Sequence, residues 1–212
     1  PDMQSMFKLV QELACRVNRI EKENTQLKQK LSKRNKINVL DWLNKLPIDK
    51  TPNKSFTDWI NDVVLKNVYL HLDSVYTNDL ITGIMSTWKL SIDESTENIP
   101  LKAFDNRINI FYKYDIGSTG EYSWVTLTNE EMDVQLKKIC KQFLIDFKNY
   151  WYDKNEDKIN TDEQWTNLYV KYYQRILGGS RITTDVICQR VRQQLYKSMK
   201  QGVSHAIEID YT

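Results

Sequence analysis

Along residues 3–31 the apolar side chains recur every seven residues without a break. With Met3 as an a position, the a series reads Met3, Val10, Val17, Asn24 and Leu31, and the d series reads Met6, Leu13, Ile20 and Leu27. Eight of these nine positions are apolar, in a chain that is 41% apolar overall. A 3.5-residue period keeps its stripe buried only when helices wind around one another, so the segment predicts a coiled coil. In a parallel pair each g residue faces the e residue of the next heptad on its partner. Those pairs are Arg16 with Glu21 and Glu23 with Lys28, both attractive, which predicts a parallel, in-register homo-oligomer. Each exposed pair is worth about 0.3–0.5 kcal/mol and selects register more than it stabilises. Asn24, the one polar a residue, finds its hydrogen-bond partner by facing itself across the seam. Valine and a single Asn at a favour two strands, whereas Ile20 at d favours three. Arg16-Val17-x-x-Ile20-Glu21 also matches the Arg-hydrophobic-x-x-hydrophobic-Glu motif of short three-stranded coils. The balance leans to a homotrimer over a homodimer. Phe7 at e and Leu9 at g widen the apolar face, and so leave open a helix packed on its own globular domain.

Beyond the heptads the periodicity changes. Residues 33–36 read as a basic hinge, which divides the chain into a coiled-coil segment (1–36) and a globular domain (37–212). Asp41-Trp42-Leu43-Asn44 predicts a brief helical turn ending before Pro47, and residues 47–54 a loop. Ser55 caps a helix whose inner face carries Phe56, Trp59, Ile60, Val63 and Val64. Asp58-Trp59-Ile60-Asn61 echoes Asp41-Trp42-Leu43-Asn44, a coincidence rather than a repeat. Residues 80–92, rich in β-branched and aromatic side chains, read as strand. Residues 108–114 and 122–127 read as a hairpin turning through 115–120. Thr128 and Glu131 form a capping box opening a helix with the stripe Met132, Leu136, Ile139, Cys140, Phe143, Phe147 and Tyr150. Acidic residues around 153–163 are expected to break it. Thr161 and Gln164 suggest a second box, for a helix stopping at Gly178-Gly179. A third helix is expected over 184–201, and the alternation in 203–211 predicts a terminal strand. The fold class is therefore α+β: a small, mostly antiparallel sheet with several packed helices behind the coil.

Composition adds limits. The 212 residues, with six Trp, twelve Tyr and six Phe, suffice for one ordinary domain plus the coil. Lys, Asn and Ile number 22, 17 and 19 while Ala appears three times, a bias that points to AT-rich coding sequence. Cys15, Cys140 and Cys188 each sit in an apolar helical pattern and read as core residues of a reducing, intracellular compartment. No run of apolar residues is long enough to span a bilayer, so no membrane partner is expected.

Candidate chemistry is sparse. His71 and His205 have no Cys or carboxylate at ligand spacing, so neither a metal site nor a cofactor is expected. Arg190, Arg192, His205 and Tyr211 do not make a strand-transfer set, because the second His or Lys is missing. Gly-Ser-Thr-Gly at 117–120 lacks the Gly-Lys-Ser/Thr of a phosphate loop and reads as a turn. No catalytic residues are assigned, and the expectation is a non-enzyme. Charge is the remaining lead. Net charge is only +2, yet residues 171–202 carry Lys171, Arg175, Arg181, Arg190, Arg192, Lys197 and Lys200 against Asp185 alone. Arg190, Arg192, Lys197 and Lys200, with Tyr196 among them as a stacking residue, are candidate nucleic-acid contacts. A solvated face or a contact with an acidic subunit is the favoured reading of the same residues.

The Asp41-Trp42-Leu43-Asn44 element, Pro100-Leu101-Lys102-Ala103-Phe104 and the ending Trp165…Ile176-Leu177-Gly178-Gly179 together resemble uncharacterised coiled-coil plus α+β proteins of large nucleocytoplasmic DNA viruses. The resemblance spans most of residues 37–212 and carries no catalytic residue. It implies a structural or scaffolding role in a viral assembly, in the host cytoplasm, a viral factory or the virion. Self-association, with other assembly proteins as further partners, is the expected function, and nucleic-acid association is the alternative.

Overall fold

The computed structural model describes residues 3–34, 38–95, 98–117, 120–179 and 182–203. Its contacts divide the chain into two compact units, Pro1–Val39 and Leu40–Thr212. The first is built on one helix, α1 (Met3–Arg34), whose 32 residues rise about 48 Å at 1.5 Å each.

The second unit is an α+β domain with a four-stranded sheet. Its chain begins on the short helix α2 (Val39–Leu43) and a 3-10 turn, Ile48–Lys50. Ser55 then caps α3 (Phe56–Trp59), its hydroxyl accepting from the Asp58 N–H at 3.0 Å. A π turn (Ile60–Val64), α4 (Leu65–Asn67), a 3-10 turn (Val68–His71) and α5 (Leu72–Thr77) continue that rod. The buried positions Ile60, Val64, Val68, Leu72 and Tyr76 recur every four residues. A strict four-residue step drifts about 40° per turn around an ideal α-helix. The wider π turn takes up part of that drift and keeps one side facing the core.

Residues 80–94 form a helix, α6 (Leu80–Glu94), and not the strand their composition suggests. The buried set Leu80, Gly83, Ile84, Thr87, Trp88 and Ser91 follows the i, i+3, i+4, i+7 spacing of a helix face. That face was hidden because three of its members are Gly, Thr and Ser. Their hydroxyls are satisfied within the helix: Thr87 donates to the Gly83 carbonyl at 2.9 Å, Ser91 to Thr87 at 2.8 Å, and Ser95 to Ser91 at 2.6 Å. Asp79 caps the start by accepting from the Thr82 N–H.

The sheet runs in the order β3-β2-β1-β4. Strands β1 (Leu101–Phe104), β2 (Phe111–Ile116) and β3 (Tyr122–Leu127) are antiparallel, as the hairpin reading required. The hairpin starts later than expected. Asn109 adopts φ +59°, a left-handed conformation that interrupts extended backbone, and Ile108 is left exposed. Leu101, Ala103, Phe111 and Leu127 face the main helical core. The opposite face buries Phe104, Tyr112 and Trp124. There Trp42 stands edge-on to Phe104, with ring centroids 5.8 Å apart. Strand β3 is an edge, and Asn44 blunts it. The Asn44 amide donates to the Trp124 carbonyl at 3.0 Å and its oxygen accepts from the Trp124 N–H at 2.7 Å, the two bonds a neighbouring strand would make.

Helix α7 (Asn129–Phe147) opens on the expected Thr128/Glu131 capping box. The acidic stretch does not break it. A π turn (Lys148–Tyr152) leads directly into α8 (Asp153–Thr161), and the acidic Asp153 and Glu156 lie on its exposed side. Helix α9 (Glu163–Ile176) is capped by Asp162, which accepts from the Gln164 N–H. The Thr161/Gln164 box does not form, since the Thr161 hydroxyl donates back to the Asp157 carbonyl. Helix α9 ends as foreseen. Gly179 N–H donates to the Gln174 carbonyl and Gly178 N–H to Arg175, with both glycines at positive φ. Helix α10 (Thr184–Met199) then passes into β4 (Lys200–Gln201), which pairs parallel with β1. Of the terminal strand expected over 203–211 only Val203 is described, and it is helical rather than extended; the rest lies outside the described residues.

Candidate self-association seam and basic helix

The seam predicted from the heptads lies on α1. Met6, Phe7, Val10, Leu13, Val17, Ile20 and Leu27 stand 51–68% exposed in the single chain. Asn24, Arg16, Glu21 and Glu23 are exposed with them. The backbone of Met3, Leu9, Lys28 and Leu31 belongs to the helix, while their side chains lie outside the described set. Glu23 has a weak partner within its own chain, Arg19 Nε at 3.9 Å, with both side chains well solvated. Such an i, i+4 contact yields readily to a cross-chain one. Cys15 is exposed, contrary to its expected core role, as is every described side chain of α1.

The basic residues of the last helix do not form one stripe. Arg192 is largely buried and its guanidinium is ion-paired with Asp133 of α7. Arg190 and Lys197 are seven residues apart and share the solvent face; Arg192 falls on the opposite side. Lys200 lies beyond the helix, in β4. Tyr196 is no stacking platform. It is buried, its hydroxyl donating to the Phe104 carbonyl at 3.1 Å and its ring edge-on to Phe111. Elsewhere in the basic stretch, Arg175 donates to the Tyr76 carbonyl, and Asp185, the lone acid, binds Lys137 at 2.8 Å. Arg181 lies outside the described residues.

His71 sits in the 3-10 turn before α5, its Nε2 buried without a partner, and burial holds its pKa below the usual value. It is neutral at pH 7 and isolated. His205 lies outside the described residues. Among the described residues no three His, Cys, Asp or Glu side chains converge as metal ligands. Burial pushes the Cys140 thiol up to about 12 and raises that of Cys188, so neither is a thiolate at neutral pH. Gly117 and Gly120 belong to the hairpin connection, closed by Gly117 N–H on the Glu121 carbonyl at 2.8 Å. No described helix is long and apolar enough to cross a membrane.

One site had no signal in the sequence. Between α6, β1 and the end of α10 lies a groove of about 950 Å³ with Met85, Ile92 and Met199 in its walls. Its recognition depends on α6 being a helix, which the β-branched composition concealed.

Comparison of the chain with protein-family models, curated proteins and solved structures finds no match.

Proposed function

We propose that this is a non-enzymatic, self-associating structural protein whose N-terminal helices join into a parallel coiled coil and so multiply the globular domain on a larger assembly. One observation carries the reading: six large apolar side chains lie exposed along a single 32-residue helix, at the spacing a coiled-coil seam requires. A contiguous apolar stripe of this kind marks an interaction surface. The heptad register and the g–e charge pairs favour a second and a third copy of the same helix as its cover. Joining several globular domains raises their combined affinity for a repetitive surface without any new contact, which suits a scaffold. Assembly of a large DNA virus, as the sequence resemblance implies, is the setting we propose. The interrupted basic stripe on α10 makes nucleic acid the weaker partner.

Sedimentation equilibrium of the full chain tests the proposal. The expected mass is a discrete multiple of 25.2 kDa, three in preference to two. The double variant Leu13→Glu, Ile20→Glu places carboxylates in the seam and should abolish that discrete species while the globular domain stays folded. An unchanged mass would locate the interface elsewhere.

A further inference from the structure

Asn24 is the one polar side chain of the seam, and α1 runs through it without a break. Val17, Ile20, Asn24 and Leu27 follow the three-and-four spacing of one helix face, and all four are exposed in the single chain. The neighbouring Thr25 turns its hydroxyl back on the Glu21 carbonyl at 2.8 Å. The Asn24 amide makes no such bond among the described residues, so its donors are left for whatever covers the seam. An amide carries two N–H donors and one oxygen. Between two strands one amide donates to the other, and the spare groups reach water at the open flanks. Around a threefold axis the outcome differs. The amide is planar, so one N–H runs parallel to the Cβ–Cγ bond, and a side chain aimed at the axis sends that donor there with it. The second N–H faces the oxygen of the next amide and closes a ring. Three donors then converge on the axis, one from each chain. The Ile20 layer closes the axis about 6 Å before them and the Leu27 layer about 4.5 Å after, while the helix carbonyls are taken by the helix's own bonds. Buried donors need acceptors. A water molecule offers two lone pairs to three donors and adds protons of its own; an anion accepts from all three and adds none.

We propose that three copies of Asn24 form a binding site for one chloride ion on the axis of the coil. The site rests on the self-association reading above, in its three-stranded form, because each copy contributes one of the donors. Hydrogen bonds from neutral amides to an ion are stronger than those to a neutral acceptor, which offsets part of the loss of hydration. The apolar layers on either side supply no donors for the outer oxygens of sulfate or phosphate, so the site selects a monatomic anion. The charge around it agrees. Glu21 and Glu23 flank Asn24, and the parallel register pairs them with Arg16 and Lys28 of neighbouring copies. Beyond it Lys28, Lys30, Lys33, Arg34 and Lys36 follow with no acid among them, five in each chain and so fifteen around three strands. Gathering them raises a positive potential at this end of the coil, and an anion held between the strands relieves part of the repulsion. Chloride thereby favours three strands over two, since only the threefold layer presents three donors.

The test uses the full chain in sodium gluconate, with sodium chloride substituted at constant ionic strength so that general screening stays fixed. Sedimentation equilibrium in the same buffers reports the strand number. In wild type the chloride NMR line should broaden in proportion to the coil present, in a saturable way that excess bromide reverses. The melting temperature of the oligomer should rise by a few degrees on going from about 1 mM to about 150 mM chloride, as binding to the assembled state requires. Asn24→Val keeps every lysine and removes the donors, so it should lose the excess broadening and melt alike in gluconate and chloride. Leu13→Glu with Ile20→Glu, which dissolves the seam, should lose the broadening as well. Crystals grown with bromide should place one anomalous scatterer per three chains on the axis, within hydrogen-bond reach of all three Asn24 amides. Broadening that survives Asn24→Val would assign the ion to the surface lysines and overturn the proposal. A three-stranded wild type without chloride-specific broadening would overturn it too, and so would a two-stranded coil. Both of those outcomes leave the self-association reading standing, whereas a monomeric wild type sinks the two together.

Discussion

Gly83 shows how closely the helices of the domain approach. A Cβ built there would lie 2.3 Å from Val75 Cγ2 and 3.2 Å from the Phe143 ring. Alanine is the better helix former by about 1 kcal/mol, but forcing a methyl into a filled core costs about 1–3 kcal/mol. Val75 and Phe143 are both fully buried and cannot move aside, so the clash should win. Gly83→Ala is expected to destabilise by up to about 2 kcal/mol in urea unfolding, net of the propensity gain. In that background Val75→Ala should cost less than it does alone, because it vacates the space the new methyl needs. A stabilising Gly83→Ala would contradict the close packing. Asp146 is a different case, a buried carboxyl that accepts from Gln142 Nε2 at 2.8 Å. Burial raises its pKa, outweighing the opposing effect of the Gln142 bond. The folded chain therefore binds this proton more tightly than the unfolded chain. Its contribution to stability falls as pH rises from the unfolded value near 3.8 through the raised folded value, and stays lower above it. Asp146→Asn keeps an acceptor for Gln142 and removes the titration. The variant should gain stability over wild type at pH 7 and lose that advantage below about pH 3.8, a difference that denaturant melts at the two pH values would measure.

At the scale of elements, the rod formed by α7 and α8 explains why an acidic stretch failed as a helix breaker. Its buried or half-buried positions run Phe143, Phe147, Trp151, Asn155 and Ile159, again in steps of four. The π turn at Lys148–Tyr152 amounts to one extra residue in an α-helix, and it returns Ile159 to the side that Phe143 faces. Deleting exposed Asn149 should turn the π turn into an α turn, leave both flanking faces inward, and cost little stability. Deleting exposed Lys138, within α7, should rotate everything beyond it by about 100° and unfold the domain. Circular dichroism melts of the two deletions should differ sharply, and equal damage from both would refute the register argument. The elements whose signals are local were legible in the sequence: the Thr128/Glu131 box, the Ser55 cap, the Gly178-Gly179 ending and the hairpin all formed. What failed depended on context. The buried face of α6 is half Gly, Thr and Ser, whose burial depends on neighbours across the core, and the cap of α9 moved one residue to Asp162 because Thr161 was committed to the Asp157 carbonyl.

For the whole molecule, legibility divides in the same way. The N-terminal helix could be read because a heptad is a property of one segment, and α1 forms where the repeat lies. The groove beside β1 could not, since it is made by three elements far apart in sequence, α6, β1 and α10. The proposed basic stripe dispersed for the same reason, as Arg192 meets Asp133 from fifty-nine residues away. Asn24 offers the sharpest test of how copies assemble. In the single chain it is exposed, and at an exposed helix position Asn→Val alters stability by only about 0.5 kcal/mol. In a parallel seam the same side chain is buried, pairs with its counterpart, and holds register and strand number at the expense of packing. Asn24→Val should then raise the melting temperature of the oligomer and make the transition depend more steeply on protein concentration. It should also broaden the single mass seen by sedimentation into a mixture of two- and three-stranded species. A melting curve and a mass both indistinguishable from wild type would place Asn24 outside any seam, and with it the registry that the whole assembly argument requires.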